Sequence, residues 1–285
     1  MRNGCLPSIC RGVILCPYKR TIIMFDAHAH LQDPRLSGAF DELVRKANAV
    51  QVTGVCCCGT TPDDWAATAS VAARPLPFVV VPAFGVHPWY VRFLPKNWRE
   101  QLEMYLDRNP VAVIGEIGLD GVMDDVPLAL QEEVLVWQLQ LAERVRRPVV
   151  LHGARAWGRL AELLRPYARR IPGFVAHGFG GSAEILKQML DMGGYISFAG
   201  TVCNMNATKV RAAAKETPDS QILVETDAPD LFPAGGRPLG TSANKKPLNH
   251  PANLNIILRE VAALRNVMPE ELSDTTGANA RRIFL

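Results

Sequence analysis

Short apolar runs alternate with amphipathic stretches along most of this chain. Eight runs have the composition of strands: 22–30 (IIMFDAHAH), 52–59 (VTGVCCCG), 79–87 (VVVPAFGVH), 111–118 (VAVIGEIG), 148–152 (PVVLH), 173–177 (GFVAH), 194–200 (GYISFAG) and 221–227 (QILVETD). Between them the apolar positions change to helical spacing. Phe40, Leu43, Val44 and Ala47 follow that period, with Ser37 as the expected N-cap. Val134, Trp137, Leu141 and Val145 repeat it. Ser182 precedes Ile185, Leu186, Met189 and Leu190, and Gly193 is the expected stop. Pro251 is expected to open the last helix, with Leu254, Leu258, Val261 and Ala262 facing inward. Eight such strand–helix repeats predict an α/β fold of the (β/α)8 TIM-barrel type. Residues 228–250, rich in Pro, Gly and Asn, read as a long loop after the eighth strand, where loops shape substrate pockets.

The polar residues that close these runs add chemistry to the fold. In Phe25-Asp26-Ala27-His28-Ala29-His30 the two histidines are two residues apart, so on a strand they share a face. Glu116 lies in the fourth run, while His152, His177 and Asp227 end the fifth, sixth and eighth. Active sites of such barrels lie at the C-terminal ends of the strands, so all six residues are expected to meet there. Taken singly, a strand-end histidine is more often structural than a ligand, and Glu116 or Asp227 could cap a following helix. Taken together the pattern is selective, because five of the six histidines end strand-like runs. A mixture of imidazole and carboxylate suits Zn²⁺, Mn²⁺ or Fe²⁺, whereas Mg²⁺ prefers oxygen ligands. The expected division gives one ion His28, His30, Glu116 and Asp227. A second would take Glu116, His152 and His177, with Glu116 bridging and positions left for water and substrate.

Composition narrows the function classes. The 285 residues, 48% hydrophobic and 21% charged, suit one large domain. No apolar run approaches the ~20 residues that cross a bilayer. The net charge of +3 comes from residues 1–24, which hold Arg2, Arg11, Lys19 and Arg20 and no acid. The rest carries 27 basic and 28 acidic side chains, without the positive excess of a protein that binds nucleic acid by counterion release. Seven cysteines, three of them adjacent (Cys56, Cys57 and Cys58), do not form the pattern of a secreted disulfide framework. A cytoplasmic location is therefore expected. Residues 1–23 read as a basic extension (disordered, a weak presequence, or a start placed too far upstream) before a barrel over 24–285.

The strings FDAHAHL, GVHPW, GEIGLD, a helix with Gln131 and Gln138-Leu-X-Leu-Ala, HGFGG and ETDAPDL occur in that order, and ANARRIF closes the chain. This set resembles the TatD-type metal-dependent hydrolases over about residues 24–285. The resemblance implies an amidohydrolase-like barrel with one or two divalent ions (Mg, Mn or Zn) held by His28, His30, Glu116, His152, His177 and Asp227. It implies a hydrolase of ester bonds, foremost a phosphodiesterase or deoxyribonuclease of 3′-5′ exonuclease type acting on DNA ends. The alternatives are a carboxylic ester or amide hydrolase, such as one acting on D-aminoacyl-tRNA, and an inactive metal-binding barrel serving as an interaction protein. Asp227 is expected to orient the water and take its proton, with Glu116 bridging. His87 matches a further family position, as a phosphate donor or a brace for Glu116.

Departures bear on substrate. The family's His-Ser-Arg reads His152-Gly153-Ala154-Arg155 here, and its Arg-Asn-Glu-Pro reads Leu248-Asn249-His250-Pro251. Gly121 stands where an aromatic residue is common. Arg155, displaced by one residue, remains the expected substrate contact, with Lys245 and Lys246 as further phosphate candidates.

Overall fold

The computed structural model describes residues 22–285. Its eight parallel strands, each bonded to the next in chain order, are β1 (Met24–Ala29), β2 (Val52–Cys58), β3 (Val79–Phe84), β4 (Val113–Asp120), β5 (Val149–Ala154), β6 (Phe174–Ala176), β7 (Tyr195–Phe198) and β8 (Ile222–Val224). Helices α1 (Pro34–Ser37) and α2 (Phe40–Ala49) come after β1, and α3 (Pro62–Ala72) after β2. Next come α4 (Trp98–Arg108), α5 (Leu128–Val145), α6 (Trp157–Leu164), α7 (Ala183–Asp191) and α8 (Thr208–Glu216), one after each of β3 to β7. After β8 come α9 (Leu254–Arg265) and α10 (Pro269–Phe284). The arrangement is the (β/α)8 barrel. Among the described residues no helix is long and apolar enough to cross a membrane. Most of the expected 1–23 extension lies outside the described residues.

Strand alternation sorts the apolar side chains into two populations. Met24, Val55, Val80, Ile114, Leu151 and Ile196 join the helices in an outer cluster. Phe25, Ala27, Cys56, Cys58, Val81, Ala83, Val113, Val150, Val175 and Leu223 form an inner one. That inner cluster also contains Ala280, Ile283 and Phe284 of α10, so the C-terminal helix closes the lower end of the barrel. Phe284 stacks on Phe25 with ring centroids 5.5 Å apart. Phe25 in turn requires Gly54 beside it, where a Cβ would come within 2.3 Å of the ring. Asn279 ties the helix to the sheet by donating to the carbonyls of Asp219 (2.7 Å) and Ile222 (2.9 Å).

The ring closes where β1 meets the chain leaving β8. Asp227 N donates to His28 O (2.9 Å) and His30 N to Ala228 O (2.7 Å). Below these bonds a side chain bridges the seam. Asp26, fully buried, accepts from Thr226 N at 2.8 Å and from Thr226 Oγ1 at 2.5 Å. Burial pushes its carboxyl up to about 8, against the pull of the Thr226 donors.

Helix boundaries depart from expectation at two places. Ser37 does not cap α2; it ends α1 and its hydroxyl donates to Pro34 O, because one extra turn precedes the amphipathic segment. Pro251 opens a short 3-10 turn (Pro251–Asn253) leading into α9, and α10 comes after it, so α9 is not the last helix. Ser182 does cap α7, accepting from Ile185 N, and Gly193 lies just past its end with φ 87°.

The seam yields a stability prediction. Asp26→Ala leaves the buried amide and hydroxyl of Thr226 without their acceptor, and is expected to cost about 2–3 kcal/mol. Urea denaturation of the metal-free protein measures this, and an unchanged midpoint would remove Asp26 from the closure.

Candidate metal centre

Three strands deliver their ligand-type residues by simple alternation. Val150 of the inner cluster is succeeded two residues later by His152, Val175 by His177, and Leu223 by Glu225 and then Asp227. Strands β1 and β4 each contain a bulge. Between Asp26 and Ala29, β1 advances three residues while β2 advances two, from Val55 to Cys57. Between Ile114 and Ile117, β4 does the same against Val149 to Leu151. An extra residue reverses the facing of the side chains beyond it. His28 therefore turns toward the site although Ala27 before it belongs to the inner cluster, and Glu116 does so three residues after Val113.

Glu116, 2% exposed, stands at the centre. Its Oε2 lies 3.3 Å from His28 Nε2 and 3.5 Å from His30 Nε2. Its Oε1 lies 2.7 Å from His177 Nε2, 2.9 Å from His152 Nδ1 and 3.4 Å from His87 Nε2. Asp227 Oδ1 adds contacts of 3.4 Å to His28 and 3.3 Å to His30, whose Nε2 atoms are 3.2 Å apart. Asp227 occupies left-handed backbone (φ 54°), which an aspartate tolerates better than most residues. Burial alone would raise the Glu116 carboxyl. Electrostatic interaction with the His177, His87 and His28 imidazoles and the hydrogen bond from His152 outweigh it and hold the group well below the usual range.

The far side of four imidazoles is fixed. His30 Nδ1 donates to Cys58 O (2.7 Å), which turns Nε2 toward the carboxylates. His177 Nδ1 faces Glu225 Oε1 at 3.2 Å, and that oxygen also accepts from Gly178 N at 2.6 Å. His152 Nε2 faces Asp120 Oδ2 at 3.2 Å, a carboxylate that Trp89 Nε1 also holds at 2.6 Å. His87 differs. Its Nδ1 accepts from Trp89 N (3.2 Å), and burial pushes its pKa down to about 4, so the neutral ring carries its proton on Nε2, which faces Glu116 Oε1 at 3.4 Å. Asp120, Glu225 and Trp89 do not stand out in the sequence as individual residues, although GEIGLD, ETDAPDL and GVHPW contain them; the i, i+2 relation of Glu225 to Asp227 is the available signal.

Two glutamines of α5, seven residues and so two turns apart, hold the end of β4 and the loop after β3 beside this cluster. Gln131 accepts from Asp120 N (2.7 Å) and donates to Asp120 O (3.0 Å). Gln138 accepts from Val86 N (2.7 Å) and donates to Val86 O (3.3 Å), next to His87. Gly118 is needed for close approach of β4 to β5, since a Cβ there would meet His152 O at 2.0 Å.

The donor set fits divalent ions. Donors ~2.0–2.1 Å from a tetrahedral centre are separated by ~3.3–3.4 Å. Among His28 Nε2, His30 Nε2, Glu116 Oε2 and Asp227 Oδ1, the five N···N and N···O separations run from 3.2 to 3.5 Å. Glu116 Oε1, His152 Nδ1 and His177 Nε2 make a second, tighter group, with the two nitrogens 3.3 Å apart.

Residues 25–285 match the family model described as TatD related DNase. The chain belongs to that family. It is 32% identical over 262 residues to the 3′-5′ ssDNA/RNA exonuclease TatD of Yersinia pseudotuberculosis, covering 92% of this chain and 99% of that one. It is 29% identical over 265 residues to the uncharacterized metal-dependent hydrolase YabD of Bacillus subtilis, with coverage of 92% and 99%. The fold is similar to that of YJJV, a TatD homologue from Escherichia coli, with a TM-score of 0.82, 28% identity and coverage of 92% and 97%.

The departures from the TatD pattern have structural consequences. Arg155 is not brought into the cluster; it is exposed just past β5, with φ 48° and no ion pair among the described residues. The one-residue displacement puts it beyond the strand's alternation. Lys245 and Lys246 are exposed on the loop after β8, and neither pairs with the cluster. Leu248, Asn249 and His250 are buried and fasten that loop. Asn249 Nδ2 donates to Thr226 O (2.8 Å) and His250 Nε2 to Arg237 O (3.0 Å).

The glutamine clamp is directly testable. Gln131→Leu leaves the amide and carbonyl of Asp120 unpaired under the site. The expected loss is about 2–3 kcal/mol of unfolding free energy by denaturant titration. An unaltered midpoint would show that the clamp contributes nothing.

Proposed function

We propose that this chain is a divalent-metal-dependent phosphodiesterase that removes nucleotides from the 3′ ends of single-stranded DNA or RNA, as its TatD relatives' names describe. The observation that carries the reading is Glu116, one carboxylate facing two donor groups through its two oxygens. His28, His30, Glu116 and Asp227 would hold one ion, and Glu116, His152 and His177 the other. Ions held there would lower the pKa of a water and polarise a phosphoryl oxygen.

The chain's own residues do the rest. Both Glu116 oxygens face imidazoles, so its role is to keep the two groups in register rather than to take a proton. Asp227, partly open to solvent and fixed by its own backbone, is the base that orients the water and accepts its proton. His87, with Nε2 at 3.4 Å from Glu116 Oε1, braces that carboxylate. Arg155, exposed at the rim with no ion pair among the described residues, is a cation available to a substrate phosphate.

The test is a panel of a 3′-labelled single-stranded oligonucleotide and a D-aminoacyl-tRNA, run with Mg²⁺, Mn²⁺ and Zn²⁺ on metal-analysed protein. Stepwise nucleotide release is expected. Deacylation alone would transfer the site to carboxylic esters, and no turnover on either with full metal occupancy would leave a binding barrel. At saturating metal, Asp227→Asn is expected to lower kcat by about 10²–10⁴-fold. Turnover equal to the parent protein would take the base role from Asp227.

Metal binding should also depend on pH. In the metal-free site burial lowers the His30 pKa, but the hydrogen bond and charge of Asp227, with Glu116 and Cys58, raise it to about 9. A proton then occupies Nε2 at neutral pH and must leave as metal binds. Apparent affinity is expected to rise with pH by about tenfold per unit toward pH 9. Calorimetry in buffers of different ionisation enthalpy measures the released proton. Affinity independent of pH between 7 and 9 would count against His30 as a ligand.

A further inference from the structure

Large apolar side chains are exposed on the turn that begins just after His87, beside the candidate centre. The 3-10 turn after β3 (Pro88–Phe93) carries Trp89, Tyr90 and Phe93, which are 45, 37 and 80% exposed. Val122, 49% exposed, lies just past β4 and donates its amide to Asp120, the carboxylate that also accepts from Trp89. Apolar surface gathered this way beside a site marks a place of contact. The turn is held from below. Its capping residue His87 accepts from Trp89 N, and the indole N–H donates to Asp120, so the ring has a fixed pose. The one polar atom of Trp89 is used inward, toward the carboxylate that holds His152. What remains outside is ring surface, whose centroid lies 6.5 Å from that of the His152 ring.

We propose that Trp89, with Tyr90 and Phe93 on the same turn, is a stacking shelf for an unpaired base of the substrate strand beside the candidate metal centre. The proposal rests on the phosphodiesterase reading for its substrate. Two features favour a base over a phosphate as the group recognised. The body of the chain has no excess of basic residues, so counterion release contributes little to holding a strand. Position 121, where the resemblance leads one to expect an aromatic, is a glycine bonded to Ala154 O. The loop after β4 therefore offers no ring, and the rings stand on the loop after β3. Stacking on an aromatic face tolerates any base and requires the base to be unpaired. An unpaired 3′ end meets that requirement, and the interior of a duplex does not.

Trp89 is also the one strongly exposed tryptophan, since Trp65, Trp98 and Trp157 are buried and Trp137 is partly buried. The full chain in chelator, titrated with single-stranded oligothymidylate, should therefore lose tryptophan fluorescence. That loss should be absent in Trp89→Phe and weaker with a blunt duplex. In turnover, Trp89→Gln keeps a donor for Asp120 but removes the ring. It should raise KM for the oligonucleotide about tenfold, with kcat falling less than about threefold. Trp89→Phe keeps the ring and loses the donor, so its KM should stay within about threefold of the parent. A Trp89→Gln KM within about twofold of the parent, or equal quenching by a blunt duplex, would overturn the shelf. Quenching without cleavage would keep the shelf and remove the proposed activity; neither quenching nor cleavage would remove both.

Discussion

A carboxylate buried among five imidazoles is the constraint around which this barrel is organised. A charge at the position of Glu116 is costly to bury unless charged or hydrogen-bonded partners compensate it. Histidines from β1, β5 and β6 and from the loop after β3 supply that compensation. The rings in turn press on one another, His28 and His177 lying stacked with centroids 3.9 Å apart. The carboxylates around them outweigh burial at two of the rings: Asp227 and Glu116 raise the pKa of His30, and Glu116 and Glu225 that of His177. Divalent ions would meet the same electrostatic demand at the same lone pairs.

Closing the barrel and assembling the donors are one event. Asp26 and His28 are two residues apart on β1, and Thr226 and Asp227 are adjacent after β8. The bonds that draw the first and last strands together, from Thr226 to Asp26 and from Asp227 to His28, also set His28 against Asp227. Any opening of that seam would separate two of the four donors in the first group. At the other end α10 seals the interior with Phe284, so the polar cluster and the apolar plug occupy opposite ends of one stack of inward side chains.

The sequence made the strands and their terminal residues legible because alternation is local: His152, His177 and Asp227 face inward by counting from an apolar neighbour. His28 and Glu116 face inward only because β1 and β4 hold one residue more than the strands beside them. A bulge is a relation between two strands, and no single run displays it. Ser37 failed as a cap for a similar reason, since its alternative partner, the carbonyl of Pro34, exists only once the preceding turn has formed. Asp120 and Glu225 stood inside recognisable strings. Their tasks are defined across the barrel, where each orients a histidine from another strand.

The departures from the family pattern fall together on the substrate side. Asn249 and His250 fix the loop after β8, and Asn253 completes the arrangement by accepting from Arg237 N and donating to Arg237 O. All three side chains hold backbone of this loop and of the segment leaving β8. The cations expected to meet a phosphate (Arg155, Lys245 and Lys246) are solvated, where each contributes little binding and salt screens it. Burial of aromatic surface does not weaken in that way. In the proposed function, the rings beside the site would supply hold on a strand that these solvated cations do not. Trp89 joins that hold to the site, because the atom that steadies Asp120 and the face left to a base belong to the same side chain.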